Sequence, residues 1–88
     1  MHVEIMGHQI QVVYKKMEDH GQFVSSPKLT IFINKQDSAE EQKSTLLHEC
    51  LHSVLHISGL NEMLTEATEE AIVRCLELAI PQIMNELE

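Results

Sequence analysis

Leu46-Leu47-His48-Glu49-Cys50-Leu51-His52-Ser53-Val54-Leu55-His56 sets three histidines at four-residue intervals among leucines. The apolar residues Leu46, Leu47, Leu51, Val54 and Leu55 recur at helical spacing. Ser38 with Glu41 three residues later fits a capping box, and Ser58-Gly59 is a stop signal, so the stretch predicts a helix over residues 38–58. Residues four apart share one helix face, and His48 and His52 therefore project together. Two imidazoles so placed reach one zinc ion at about 2.0–2.1 Å. Glu49 lies about 100° around the helix from His48. That puts it beside the ion instead of on it, where the general base for a metal-bound water belongs. The plainer reading makes both histidines ordinary helix residues. Against it, histidine has no preference for a helix interior, and two on a stripe bordering the core need polar partners.

His56 continues the four-residue step but does not complete a three-histidine site. It lies eight residues from His48, about 12 Å along a continuous helix, too far for one ion to bind both. The longer metzincin pattern, H-E-x-x-H-x-x-G-x-x-H, has no match either, because Leu55 and Ser58 stand where it requires glycine and histidine. The third ligand must come from elsewhere, and the next helix offers Glu66, Glu69 and Glu70. That helix is predicted over 65–87, with Thr65 as its cap and Ile72, Val73, Leu76, Ala79, Ile80 and Ile83 as its apolar stripe. Measured from Leu76 at about 100° per residue, Glu69 falls within about 20°, Glu66 about 80° away and Glu70 about 120° away. The phase favours Glu69, with Glu70 and Glu66 as alternatives. Pro81 lies within the stripe and is expected to kink or divide the helix.

The front of the chain reads as strands. V-E-I-M-G-H-Q-I-Q-V-V-Y alternates around Gly7 as a hairpin does, M-E-D-H-G-Q is turn-like, and Leu29–Asn34 alternates as a third strand opened by Ser25-Ser26-Pro27. The expected architecture is α+β: a three-stranded antiparallel sheet over about residues 2–35, then two packed helices, in a single domain over 1–88. With 88 residues the core is thin, and a metal is one way to staple it. A net charge of −8 argues against a nucleic-acid partner. No run of about 18 apolar residues exists to span a membrane, and Met1–His8 lacks the basic start of a secretion signal. Cys50 and Cys75 read as reduced thiols of a cytoplasmic protein.

His48-Glu49-x-x-His52 followed by a glutamate on the next helix resembles the gluzincin arrangement of zinc peptidases. More closely, Thr45 to His52 and Glu69 to Leu76 resemble the small phage-type members of the ImmA/IrrE metallopeptidase family. Glu69 with Ile72 and Leu76 matches the family's spacing of glutamate and small or apolar residues. Ile72 and Val73 replace the Ala-Asn or Ala-Asp pair of larger members. The resemblance covers nearly the whole chain. It implies a minimal zincin-like fold, a cytoplasmic zinc protein, often prophage-borne, and a protein or peptide substrate; some larger members cleave repressor proteins.

On this reading zinc is held by His48, His52 and Glu69 with one position open for water, Glu49 is the base, and strand Leu29–Asn34 offers an edge to an extended substrate. Tyr14 and His56 are candidate transition-state donors. The rival reading is a non-catalytic, zinc-stabilised protein-interaction module of prophage origin, in which His2 or Cys75 supplies a fourth ligand. A third is a metal-free helical interaction domain. A partner protein or a second copy would complete the cleft of so small a chain.

Overall fold

A computed structural model describes all residues, 1–88. The chain runs through four strands, β1 (His2–Ile5), β2 (His8–Lys15), β3 (Gly21–Val24) and β4 (Thr30–Asn34). The helix α1 (Ala39–Ser58), a short turn of 3-10 helix (Leu60–Met63) and the helix α2 (Glu66–Leu87) follow. Met6 and Gly7 join β1 to β2 with φ of 52° and 82°, the paired left-handed conformation of a tight hairpin turn.

The α+β order of sheet then helices holds, but the sheet differs from the expected three antiparallel strands. It has four strands in the order β1-β2-β4-β3, and β2 and β4 are parallel, with Val12 opposite Ile31 and Tyr14 opposite Ile33. After β2 the chain passes over to form β3, then turns back so that β4 inserts between them. β4 is therefore central, buried along most of its length, and the free edge on that side belongs to β3.

One face of the sheet carries the core, with Ile10, Val12, Ile31 and Ile33 all buried. Leu46, Cys50 and Ile57 of α1 pack onto it, with the buried Ser53 between them, a spacing that keeps one helix face on the sheet. The Ser53 hydroxyl donates to the Cys50 carbonyl at 2.6 Å, so its burial leaves no unmatched polar atom. Both thiols are free, Cys50 half-buried and Cys75 exposed.

The helix ends follow the sequence signals. The Glu41 N–H donates to Ser38 Oγ at 3.1 Å, and the Ser38 N–H donates to Glu41 Oε1 at 3.2 Å. Gly59, at φ 80°, ends α1, and Thr65 Oγ1 accepts from the Thr68 N–H to start α2. Of the kink or division expected at Pro81, division does not occur: α2 continues through it. Pro81 is exposed, and the loss is confined to the one bond it would have donated to the Glu77 carbonyl.

α2 packs on α1 and is antiparallel to it: Ser44 meets Glu77 at 3.3 Å and His52 meets Glu69 at 2.6 Å. Carrying this register from Ser44 back to Ala39 brings α2 to Gln82, so Ile83, Met84 and Leu87 project past the start of α1 and are exposed. Val73 is the buried residue of α2, whereas Leu76 is 38% exposed. The packed face is therefore centred on Val73, not Leu76.

Gly21 opens β3 where it crosses α1. A Cβ there would lie 2.4 Å from Thr45 Cγ2 and 2.9 Å from the Phe32 carbonyl oxygen. Gly21→Ala is expected to lower stability by about 1–3 kcal/mol through overpacking, read as a fall in the urea midpoint. Adding Thr45→Ser, which removes the nearer methyl, should recover part of the loss.

His20, just before β3, pairs its Nδ1 with Asp37 Oδ2 at 2.7 Å and ties the β2–β3 loop to the entry of α1. The hydrogen bond and charge of Asp37 raise the His20 pKa, with smaller help from Glu41 and Asp19. A raised folded-state value contributes stability at pH below the ordinary histidine value of about 6.5, and that contribution is lost as pH rises through the folded value. An NMR titration should place His20 above the ordinary value in wild type and return it toward that value in Asp37→Asn. The stability difference between the two proteins should fade on the alkaline side.

Candidate metal centre

α1 presents His48 and His52 one turn apart, their ring centroids 4.9 Å apart and edge to face. Each ring is gripped from α2 at both nitrogens. His48 Nδ1 meets Glu77 Oε2 at 2.8 Å and His52 Nδ1 meets Glu69 Oε2 at 2.6 Å. The two Nε2 atoms converge on one carboxylate: His48 on Glu70 Oε1 and His52 on Glu70 Oε2, each at 3.2 Å. The helical phase explains this division of labour. From Val73, Glu70 is three residues back, Glu69 four back and Glu77 four on, so all three share the face that meets α1.

This placement differs from the ligand choice drawn from the sequence. The three groups whose ligand atoms lie within 4.8 Å of one another are His48, His52 and Glu70. Glu69, favoured when Leu76 is taken as the centre of the stripe, lies behind His52 as a hydrogen-bond partner. The apolar stripe gives a different phase because Leu76 and Ile83, taken as part of its buried centre, are 38% and 54% exposed, whereas Val73 is fully buried. Glu66 is exposed and joins neither ring. Glu77 escapes sequence reasoning altogether. Its signal was its position seven residues after Glu70, on the same face of the same helix.

The donor set fits a zinc ion. Glu70 offers Oε1 to His48 Nε2 and Oε2 to His52 Nε2, each at 3.2 Å, and one ligand atom from each of the three residues lies within 4.8 Å of the others, a nitrogen and oxygen set of the kind zinc takes. Each histidine would bind through Nε2 while a carboxylate holds its Nδ1–H, which fixes tautomer and ring orientation. The charge balance points the same way. Glu49, Glu69, Glu70 and Glu77 gather around two imidazoles, and the nearest cation, Arg74, is 74% exposed and reaches Glu70 only at 3.5 Å. Half-buried carboxylates in excess call for a compensating cation. A second cluster of His20, Asp37 and Glu41 is already matched, since the first two pair together and Glu41 caps α1.

Glu49 is held differently from the other acids. It is buried to 9% exposure, yet no hydrogen bond or ion pair satisfies its carboxylate. Burial raises its pKa first of all; His48 and His52 oppose the rise, while Glu70 and Glu77 add to it. A carboxylate whose neutral form is favoured in this way suits proton transfer. Burial likewise raises the Cys50 thiol, helped by Glu49, which makes Cys50 a packing residue and not a nucleophile.

Two open clefts of about 510 and 460 Å³ meet at His48, Glu49, Glu70 and Gly21. The first is lined by no hydrophobic residue; in the second Phe23 packs edge-on against His56 at 5.6 Å between ring centroids. His56 thus faces the second cleft. Tyr14, the other donor suggested by the sequence, lines neither cleft and lies on β2 opposite Ile33. His2 and Cys75 stand outside the ligand group, and His8 is exposed on the far side of the sheet order. No helix is long and apolar enough to cross a membrane.

Neither the curated proteins nor the solved structures hold a match to this chain. Residues 5–84 match the model of a peptidase family described as the IrrE N-terminal-like domain. With that match running from the last residue of β1 to near the end of α2, the chain belongs to the IrrE N-terminal-like domain family of metallopeptidases.

Proposed function

We propose that the protein is a zinc peptidase that hydrolyses bonds of an extended protein segment, with His48, His52 and Glu70 as ligands and Glu49 as the base. The observation that carries the reading is Glu49, a residue 9% exposed whose carboxylate has no protein partner and opens to the clefts, beside two imidazoles whose Nδ1 atoms are already fixed. Zinc, when bound, supplies Lewis acidity that polarises a carbonyl oxygen and lowers the pKa of a water. Glu49 takes the proton of the attacking water and passes it to the leaving amine. Glu77 and Glu69 hold the two imidazoles in place. Glu69 moves on this reading from ligand to support.

The substrate rail is β3. The Asn34 N–H donates to the His20 carbonyl at 2.9 Å. Pairs in an antiparallel ladder alternate between bonded and non-bonded, so Gln22 and Val24 bond to β4, while Gly21 and Phe23 turn their N–H and C=O groups to the free edge. An extended peptide added there would lie along both clefts and across Glu49. This replaces Leu29–Asn34 as the edge, since β4 is central.

The rival reading, a zinc staple in a binding module, expects four protein ligands. Only three residues converge here, which favours a site with an open position.

Elemental analysis decides the site. Zinc should be near one ion per chain in wild type and Glu49→Gln and lost in Glu70→Gln. Glu69→Gln and Glu77→Gln should keep zinc but bind it about 10–100-fold more weakly. Loss in Glu69→Gln with retention in Glu70→Gln would exchange the two roles, and no zinc in wild type would end the reading. Peptide cleavage by the zinc-loaded protein should fall by about 10²–10⁴-fold in Glu49→Gln.

Chelation offers a separate check on the folded state. An ion that binds only the native chain stabilises it by about 4 kcal/mol at a thousandfold excess over Kd. Adding a chelator should therefore lower Tm in wild type and leave Glu70→Gln unmoved.

A further inference from the structure

We propose, resting on the peptidase reading above, that the substrate carries a lysine or arginine on the C-terminal side of the cleaved bond. The two clefts that meet at Glu49 differ in chemistry. The one on the Gly21 side has no hydrophobic residue in its lining and carries the carboxylates of Asp19, Glu41, Glu49, Glu70 and Glu77, with Arg74 as its one Lys or Arg. Arg74 is already engaged by Glu70, and His20 by Asp37. A zinc ion would be matched by Glu70 and the other carboxylates at the centre. Asp19 remains as negative charge at the mouth, beside Glu41, which keeps its charge while it caps α1 at Ser38. The other cleft shares Glu49 and Glu70 at the centre and adds Glu69, the partner of His52; beyond them its wall is Phe23 and His56 with Gln22, Ser25 and Asn61, which suits an uncharged residue.

Glu49 makes this more than a patch of acid. The residue is 9% exposed, and the little that shows is a carboxylate with no protein partner, aimed into both clefts. The rail sets the direction. β3 runs from Gly21 to Val24, from the acidic cleft toward the aromatic one. A peptide pairing with it antiparallel, as β4 does on the other side and as pairing stability favours, runs the opposite way. Its N-terminal part lies by Phe23 and its C-terminal part enters beside Asp19. A Cβ at Gly21 would lie 3.5 Å from Glu49 Cγ, so a peptide on this edge runs beside Glu49.

The test reads binding and cleavage separately. Binding is measured by fluorescence anisotropy on zinc-loaded Glu49→Gln, with matched labelled peptides carrying Lys, Ala or Glu at one position. Peptides with the Lys moved to the N-terminal half serve as the register control. The Lys peptide should bind on the order of tenfold more tightly than the Glu peptide at low salt, and more tightly than the register control. Asp19→Lys should shrink or reverse the Lys-to-Glu ratio. Mass spectrometry of a peptide library cut by wild type should show Lys or Arg enriched just after the cut. Equal binding of Lys and Glu peptides, a ratio unmoved by Asp19→Lys, or enrichment before the cut would each overturn the proposal. Cleavage without any basic preference sinks this inference and leaves the peptidase reading standing. Absence of both binding and Glu49-dependent cleavage sinks the reading, and the inference with it.

Discussion

The structure turns on a matching problem between two helices. Two imidazoles one turn apart on α1 have four ring nitrogens, and α2 answers all four with three carboxylates. Glu77 and Glu69 take the outer nitrogens, and Glu70 sits between the inner ones. That arrangement requires α2 to be antiparallel, to be set in one register, and to turn a single face, centred on Val73, toward α1. A shift of one residue along α2 would rotate every carboxylate by about 100° and dissolve the match. In a chain with only ten buried residues, such polar specification supplies what a thin core leaves open.

The helical half was legible in the sequence because its signals are local. Ser38 with Glu41, Gly59 and Thr65 mark ends through bonds made within a few residues, and His48, Glu49 and His52 share a helix whatever packs against them. The proposed third ligand was harder. Choosing among Glu66, Glu69 and Glu70 depends on the rotation of α2, and rotation was inferred from an apolar stripe whose later members are largely exposed. Ile83 and Leu87 look like core and are surface, because α2 outruns the helix it packs on.

The sheet was legible as strands but not as a topology. Gly21–Val24 is too short to show alternation and follows a polar turn, so β3 hides in what reads as a loop. Neighbours in sequence were paired, yet β4 inserts between β2 and β3 and makes a parallel contact that no local pattern announces. For the proposed substrate rail the cost of that error is specific: it put the edge on the central strand. Gly21 carried the one available hint, a residue with no side chain just where a strand must pass close to a helix.

β3 is joined to the sheet by β4 alone and spans only four residues. Its other hold is on α1, where Gly21 abuts Thr45 and Phe23 leans on His56. The strand and the helix that carries His48 and His52 therefore brace one another. On the peptidase reading, a chain added to the edge would press the strand against that helix, so that seating a substrate and stiffening the metal centre would be one event.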